Sequence, residues 1–414
     1  MSHKDALNTG EEGWEYADAD TQYHVHGLHA YPARMIPQIA NRLIREHSVE
    51  GQTVLDPFCG SGSVLVEAQI LGRNAIGIDI NPLAVMIARA KNTPICLDDL
   101  MTVFEQVLSR IKQRVMLNRE NRYRPETLYF KNMHHWFKRE VITDLSIISE
   151  CIKEAQPSDD RISNLLKVCF SATILKASNI AFADNPYFAR AKKGQVLEKH
   201  SPDVPEIFEK NMKDSLTRMG LFYSARSKNV CCEIYENDAR KMPLEDDSVD
   251  LVVTSPPYGE ESHTMSYSRF TKLPLLWLGY TARELNRINL KSLGGNPTVF
   301  RAISSDLSSL YKEILNKNKQ RADEVFSFFW DYKKCIEEIY RVLRPHCFAC
   351  IVIGDRSALG LKVSNGNLTV ELAKLSGFIH VTTYHREIPK KVLPRSDYKV
   401  DLINREDIIV LRKT

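Results

Sequence analysis

The strongest constraint on the fold lies in residues 53–92, where two short apolar runs each pass through a tight connection into a helix. Thr53 to Phe58 (TVLDPF) is apolar but too short to stand as a helix. It gives way to Cys59-Gly60-Ser61-Gly62 and then to VLVEAQILG, a helical stretch closed by Gly72. The run AIGIDI repeats the arrangement and leads into NPLAVMIARAKN, with Asn81 suited to cap that helix and Pro82 to open it. Strands joined through helices by such short connections lie parallel, with the helices covering the sheet, so the segment predicts a doubly wound α/β architecture. Upstream, Ile36, Ile39, Ala40, Leu43 and Ile44 recur at helical spacing, and Pro37 falls in the first turn, where its missing N–H costs little.

Between Pro94 and Ser227 the alternation stops. Polar, helical text such as LMTVFEQVLSRIKQRVML and EVITDLSIISECIKEA reads as an insertion. Strand-like runs resume with VCCEIYEND and SVDLVVTSPPY. After an irregular stretch at roughly 281–322, the helix VFSFFWDYKKCIEEIYRVLRP precedes three further strands, CFACIVIGD, FIHVTTYHREI and EDIIVLRK. The expectation is a seven-stranded core built from residues 23–95 and 228–414, with a large, mainly helical insertion at 96–227. The 414 residues suffice for it.

Composition excludes little beyond disorder and fibres: 43% of residues are hydrophobic and 26% charged, as in ordinary globular chains. The net charge of +4 permits a nucleic-acid partner without requiring one. The nine cysteines lack the paired spacings of a zinc site, and the adjacent Cys231 and Cys232 lie in an apolar stretch, which fits a reducing cytoplasm. His134 and His135 are neighbours rather than at a one-face spacing, so they read as a loop or interface pair and no metal is expected. The N-terminus is polar and acidic, with no apolar core of a signal peptide, and no run approaches the roughly 18 apolar residues that span a bilayer. A cytoplasmic protein without a membrane partner is expected.

Two segments carry chemistry. In Asp56-Pro57-Phe58-Cys59-Gly60-Ser61-Gly62 the glycines let the backbone approach a ligand, although a tight turn could need them for its own sake. About twenty residues on, Gly77-Ile78-Asp79-Ile80-Asn81 puts a carboxylate at the end of the next strand, where a ribose would present its hydroxyls. The absence of GxGxxG argues against a nicotinamide dinucleotide. In Thr254-Ser255-Pro256-Pro257-Tyr258-Gly259, two prolines force the chain out of the sheet. They supply carbonyl acceptors without N–H donors, beside a hydroxyl and an aromatic plane that suit the amino group and the face of an unstacked base.

These residues carry a family resemblance. DPFCGSG resembles motif I, GIDIN motif II and TSPPY motif IV of the amino-methyltransferases that act on nucleic-acid bases, over residues 23–95 and 230–414. His26-Gly27-Leu28-His29-Ala30-Tyr31-Pro32-Ala33-Arg34 resembles the HxYPA(R/K) segment that precedes motif I in many bacterial DNA methylases and closes the methionine end of the cofactor pocket. The resemblance implies a Rossmann-like methyltransferase sheet, S-adenosylmethionine as methyl donor and double-stranded DNA as substrate. Asp56, Gly60 and Gly62 would contact the methionine portion, with Pro57, Phe58 and Cys59 in the same cofactor set as Tyr31, Pro32, Ala33 and Arg34. Asp79, flanked by Ile80 and Asn81, would receive the ribose hydroxyls; Asp238 and Ala239 would lie near the adenine, and Thr254 completes the set. Ser255, Pro256, Pro257 and Tyr258 would hold the target base for direct, in-line transfer without a covalent intermediate.

A motif IV that opens on serine is associated mainly with N4-cytosine enzymes, so the implied product is N4-methylcytosine, with N6-adenine as the nearest alternative. An RNA guanine-N2 methyltransferase or a catalytically silent partner are further alternatives. The insertion is a candidate target-recognition region, and a cognate restriction endonuclease a candidate companion. Basic and aromatic residues interleave at Arg122-Tyr123-Arg124 and from Asn179 through Tyr187, Phe188, Arg190, Lys192 and Lys193. Ser266-Tyr267-Ser268-Arg269 and the run from Arg283 to Lys291 are candidates to reach into the gap left by a flipped base.

Overall fold

A computed structural model describes residues 13–181, 189–190, 201–260, 267–388 and 405–414. Seven strands form the main sheet: β1 (Thr53–Asp56), β2 (Asn74–Asp79), β3 (Cys232–Glu236), β4 (Val249–Thr254), β5 (Leu343–Gly354), β6 (Ile379–Glu387) and β7 (Arg405–Arg412). Their spatial order is β6-β7-β5-β4-β1-β2-β3. All neighbours pair in parallel except β7, which runs antiparallel to both β5 and β6.

The continuous apolar runs of the central strands follow from burial on both faces. On one face Val54, Leu251, Val253, Cys350, Val352, Ile408 and Val410 pack with α1 (Pro37–His47) and α2 (Ser63–Ile70). On the other, Leu55, Val252, Ile351, Ile353, Ile409 and Leu411 meet α11 (Lys319–Val342) and α12 (Asn365–Leu375). The helix α3 (Pro82–Asn92) begins as the sequence implies, with Pro82 in the first turn and the Asn81 side chain accepting from the Leu83 and Ala84 amides.

The residues between α3 and β3 form α4 (Leu97–Arg119), a single turn at Met133–Trp136, α5 (Arg139–Ala155), α6 (Asp160–Ala177) and α7 (Val204–Ala225). Their apolar faces share one core with α3 and with α8 (Tyr267–Trp277). The stretch expected to be irregular at 281–322 is instead largely helical, holding α9 (Ala282–Lys291), α10 (Ser305–Leu315) and the start of α11. No residue of α9 is fully buried, though Leu285 packs half-buried against the insertion core. The signal of this helix is a capping box, in which Thr281 and Glu284 satisfy each other's backbone amides.

Among the described residues no helix is long and apolar enough to cross a membrane, and no cluster of His, Cys, Asp and Glu could hold a metal ion.

Candidate active site

Parallel pairing puts the carboxyl ends of β1 and β4 side by side, with Val54 opposite Leu251 and Leu55 opposite Val252. The DPFCGSG and TSPPY segments therefore leave the same edge of the sheet from adjacent strands. A buried hydrogen bond joins them directly: the Thr254 hydroxyl donates to Asp56 Oδ1 at 2.6 Å. An open α/β sheet binds its ligands beyond such strand ends, where the chain order reverses.

The turn after β1 is organised by carboxylates. Asp56 also accepts from the Phe58 amide at 3.1 Å, and Asp79 accepts from the Gly60 amide at 2.9 Å and the Asn81 amide at 2.8 Å. The Cys59 amide donates to the Ile78 carbonyl at 3.0 Å, stitching the turn to β2. Gly60 and Gly62 both lie at positive φ, +49° and +78°, a region open to glycine at little cost.

A cleft opens beside this turn. Its wall includes Tyr31, Ala33 and Arg34 from the segment before α1; Asp56, Pro57, Phe58, Cys59 and Gly60 from the first turn; and Asp79, Ile80 and Asn81 from the end of β2. Asp238 and Ala239 line it after β3, and Ser255 and Pro257 after β4. Five expected residues stand off the wall. A Cβ on Gly62 would come within 2.6 Å of Asn92 Nδ2 and 3.1 Å of Ala88 Cβ, so Gly62 serves the close packing of α2 on α3. Thr254 is fully buried behind Asp56, and Pro256, also buried, is not among the residues that line the cleft. Pro32 and Tyr258 are not among the lining residues either, and the Tyr258 hydroxyl donates to Glu406 at 2.8 Å.

Burial shapes the charges. It pushes Asp56 up to about 7 and Asp79 up to about 6, although the hydrogen bonds each accepts pull the other way. Burial would also raise Asp238, but hydrogen bonds from Arg240, at 2.6 Å for the closest, hold it below the ordinary carboxylate range. Three carboxyl groups thus line a cleft with Arg34 and Lys291 as its basic members. That donor and acceptor set suits S-adenosylmethionine, which carries a sulfonium, two ribose hydroxyls and amino groups beside a single carboxylate. Gly60 leaves the wall open at the turn, with Tyr31 only 3.4 Å from where a Cβ would stand.

Several wall residues escaped the sequence reading. Met35, Ser61, Ser63, Val64, Asn237 and Gly259 adjoin expected residues, and could have been found by widening each motif by a few positions. Tyr267, Ile288, Asn289, Lys291, Ser292 and Leu293 also reach the cleft, from α8, α9 and the chain just after α9. Some of these were expected as base-gap candidates. Tyr267 stacks on Tyr31, with centroids 6.0 Å apart and planes at 25°, and no spacing rule predicts that approach.

Among the candidate nucleic-acid contacts, Arg122 pairs with Glu120 at 3.1 Å and Arg124 is exposed. Tyr123 bonds to Glu150 and holds the Arg114 guanidinium 5.2 Å over its ring, so that face is already covered. Asn179 donates to the His135 carbonyl at 3.2 Å. His134 and His135 are exposed in their single turn, and Arg269 is exposed on α8. Tyr187, Phe188, Lys192, Lys193 and Ser266 lie outside the described residues, as does the side chain of Arg190.

A DNA methylase family model matches residues 4–90. The chain is 29% identical to the Type II methyltransferase M.MvaI of Kocuria varians, covering 97% of this chain and 92% of that protein. It is 23% identical to M.BsoBI of Geobacillus stearothermophilus, over 88% and 81% of the two chains. A local likeness of 44% over 52 residues, 12% of this chain and 15% of the other, links it to a tRNA (guanine(10)-N2)-dimethyltransferase of Methanocaldococcus jannaschii. The match to the DNA methylase family through the cofactor turn, and the likeness to a Type II methyltransferase over nearly the whole length, support an S-adenosylmethionine-dependent amino-methyltransferase of the N4/N6 kind.

Proposed function

We propose that this protein methylates the N4 amine of a cytosine swung out of double-stranded DNA at a specific sequence, as the modification half of a restriction system. The observation that carries the reading is Ser255. It opens the Pro-Pro turn on the cleft wall and follows directly on Thr254, whose hydroxyl binds Asp56 of the cofactor turn. When bound, S-adenosylmethionine supplies an electrophilic methyl group on its sulfonium.

The chain's own residues orient the acceptor. The lone pair of an exocyclic amine is delocalised into the base ring, so the amine is a weak nucleophile. The Ser255 hydroxyl and the Pro256 carbonyl accept its N–H bonds and favour a pyramidal nitrogen, with the lone pair aimed into the cleft. Tyr258, its hydroxyl tied to Glu406, is limited to one ring orientation for stacking on the base. Asp79 accepts from the ribose hydroxyls, Asp238 from the adenine amino group, and Asp56 with Arg34 borders the methionine end. The insertion α4–α7 carries target recognition.

N6-adenine is the nearest competing target, and Ser255 in place of Asp or Asn is the residue that favours cytosine. The likeness to the tRNA enzyme is confined to 52 residues, whereas that to M.MvaI runs the length of both chains, which favours DNA. Methyl transfer to two synthetic duplex libraries, one with its amino targets restricted to cytosine and one to adenine, tests the proposal. Incorporation into the cytosine library alone is expected; incorporation into adenine alone would overturn it.

A further inference from the structure

The Ser255–Gly259 turn is pinned at both ends. At its start is the Thr254–Asp56 bond; at its end the chain dives inward at Glu260, which is 3% exposed. Arg356, 6% exposed and just beyond β5, grips the Glu260 carboxylate with two parallel bonds, Nη1 to Oε2 at 2.9 Å and Nη2 to Oε1 at 2.8 Å. Arg321, 7% exposed in the first turn of α11, adds a third from its Nη2 at 3.0 Å and also binds Glu324. Gly259 lies so close to this pair that a Cβ there would stand 2.5 Å from Arg356 Nε. The Asn365 amide, fully buried at the start of α12, bonds both the Tyr258 and the Gly354 carbonyls at 2.8 Å.

Three buried charges are a poor way to gain stability, because the desolvation they suffer commonly equals or exceeds their attraction, and well-packed apolar residues do as well. What a two-pronged arginine–carboxylate pair adds is direction, since it fixes distance and angle where apolar contact fixes neither. We infer that Glu260, acting through Arg356 and Arg321, is a positioning residue that sets the height of the Ser255–Tyr258 turn over the cleft. The turn's acceptors then meet the amine of the target base. The inference rests on the base-holding reading of that turn.

The test compares Glu260→Gln and the double variant Glu260→Leu with Arg356→Met against the wild type. It reads kcat and KM on DNA, affinity for S-adenosylmethionine, melting temperature, and fluorescence of 2-aminopurine at the target position. Glu260→Gln is expected to lower kcat by about tenfold to a hundredfold, the scale of an ångström's misplacement, with cofactor affinity within about twofold of wild type. The double variant leaves no stranded charge on Arg356, and Arg321 keeps Glu324; it is expected to recover the melting temperature while kcat stays low. A double variant whose kcat recovers together with its melting temperature would show a merely structural role and overturn the inference, as would wild-type kcat in Glu260→Gln. If the wild type methylates no DNA, the base-holding reading falls first, and this inference with it. Wild-type turnover alongside an unaffected Glu260→Gln sinks the positioning role alone.

Discussion

At the scale of single residues, Thr254 and Gly62 illustrate how motif positions act without touching a ligand. Thr254→Val removes the donor to Asp56 and leaves a buried carboxyl with one partner fewer. We expect a loss of about 1–2 kcal/mol in urea denaturation, and an unchanged midpoint would contradict the role of that bond. Gly62→Ala combines a φ of +78° with contact against Asn92 and Ala88. It should destabilise by about 1–3 kcal/mol, read from thermal melting. Acidity gives a further test at this scale. Folding raises Asp79 from 3.8 to about 6 and Asp56 from 3.8 to about 7. A carboxyl raised by folding favours the fold while protonated, so its contribution is complete below the unfolded value and is lost as pH rises through the folded one. The melting temperature of cofactor-free Asp79→Asn should therefore fall less than that of wild type as pH rises from about 4 through about 6. His26 and His29 act with the opposite sign: burial lowers them from 6.5 to about 4 and about 3, so their contribution is present above 6.5 and is lost as pH falls through those values.

At the scale of elements, α8 joins the cleft to the insertion. Its first residue, Tyr267, lines the cleft, and its last, Trp277, is buried with Phe130, Phe137 and Phe170 edge-on at 6.1, 5.8 and 6.2 Å. Trp277→Ala should cost about 3–5 kcal/mol, and hydrogen exchange should show α5 and α6 loosening while β1, β4 and β5 keep their protection. Protection lost equally in the sheet would mean that the two regions unfold as one. The central strands β1, β4, β5 and β7 were legible in sequence because burial on both faces makes them continuous apolar runs too short for a helix. Helices α9 and α10 were not, although Leu285 and Ile288, and Leu307, Leu310, Tyr311 and Ile314, recur at helical spacing, because each stripe is short and set in polar text.

At the scale of the molecule, the net charge of +4 is small, so DNA affinity has to come from local clusters rather than a general field. Binding to a duplex should weaken with a linear log–log dependence on salt, falling at least tenfold between about 50 and about 200 mM. Anisotropy titrations measure it, and a flat profile would argue against phosphate contacts. By itself the sequence determined the parallel α/β core, the glycine turn after β1, the carboxylate that ends β2 and the Pro-Pro exit from β4. Each of these is a local consequence of side-chain volume, backbone freedom or a missing N–H, and so is written in neighbouring residues. Only the tertiary structure decided that residues 56 and 254 share a hydrogen bond, that Gly62 answers to α3 rather than to the cleft, that α9 and Tyr267 complete the wall, and that Glu260 meets two arginines from distant elements. Those facts depend on which strands lie adjacent and how helices pack across them, and no spacing along a chain encodes a contact between residues brought together only when the sheet closes.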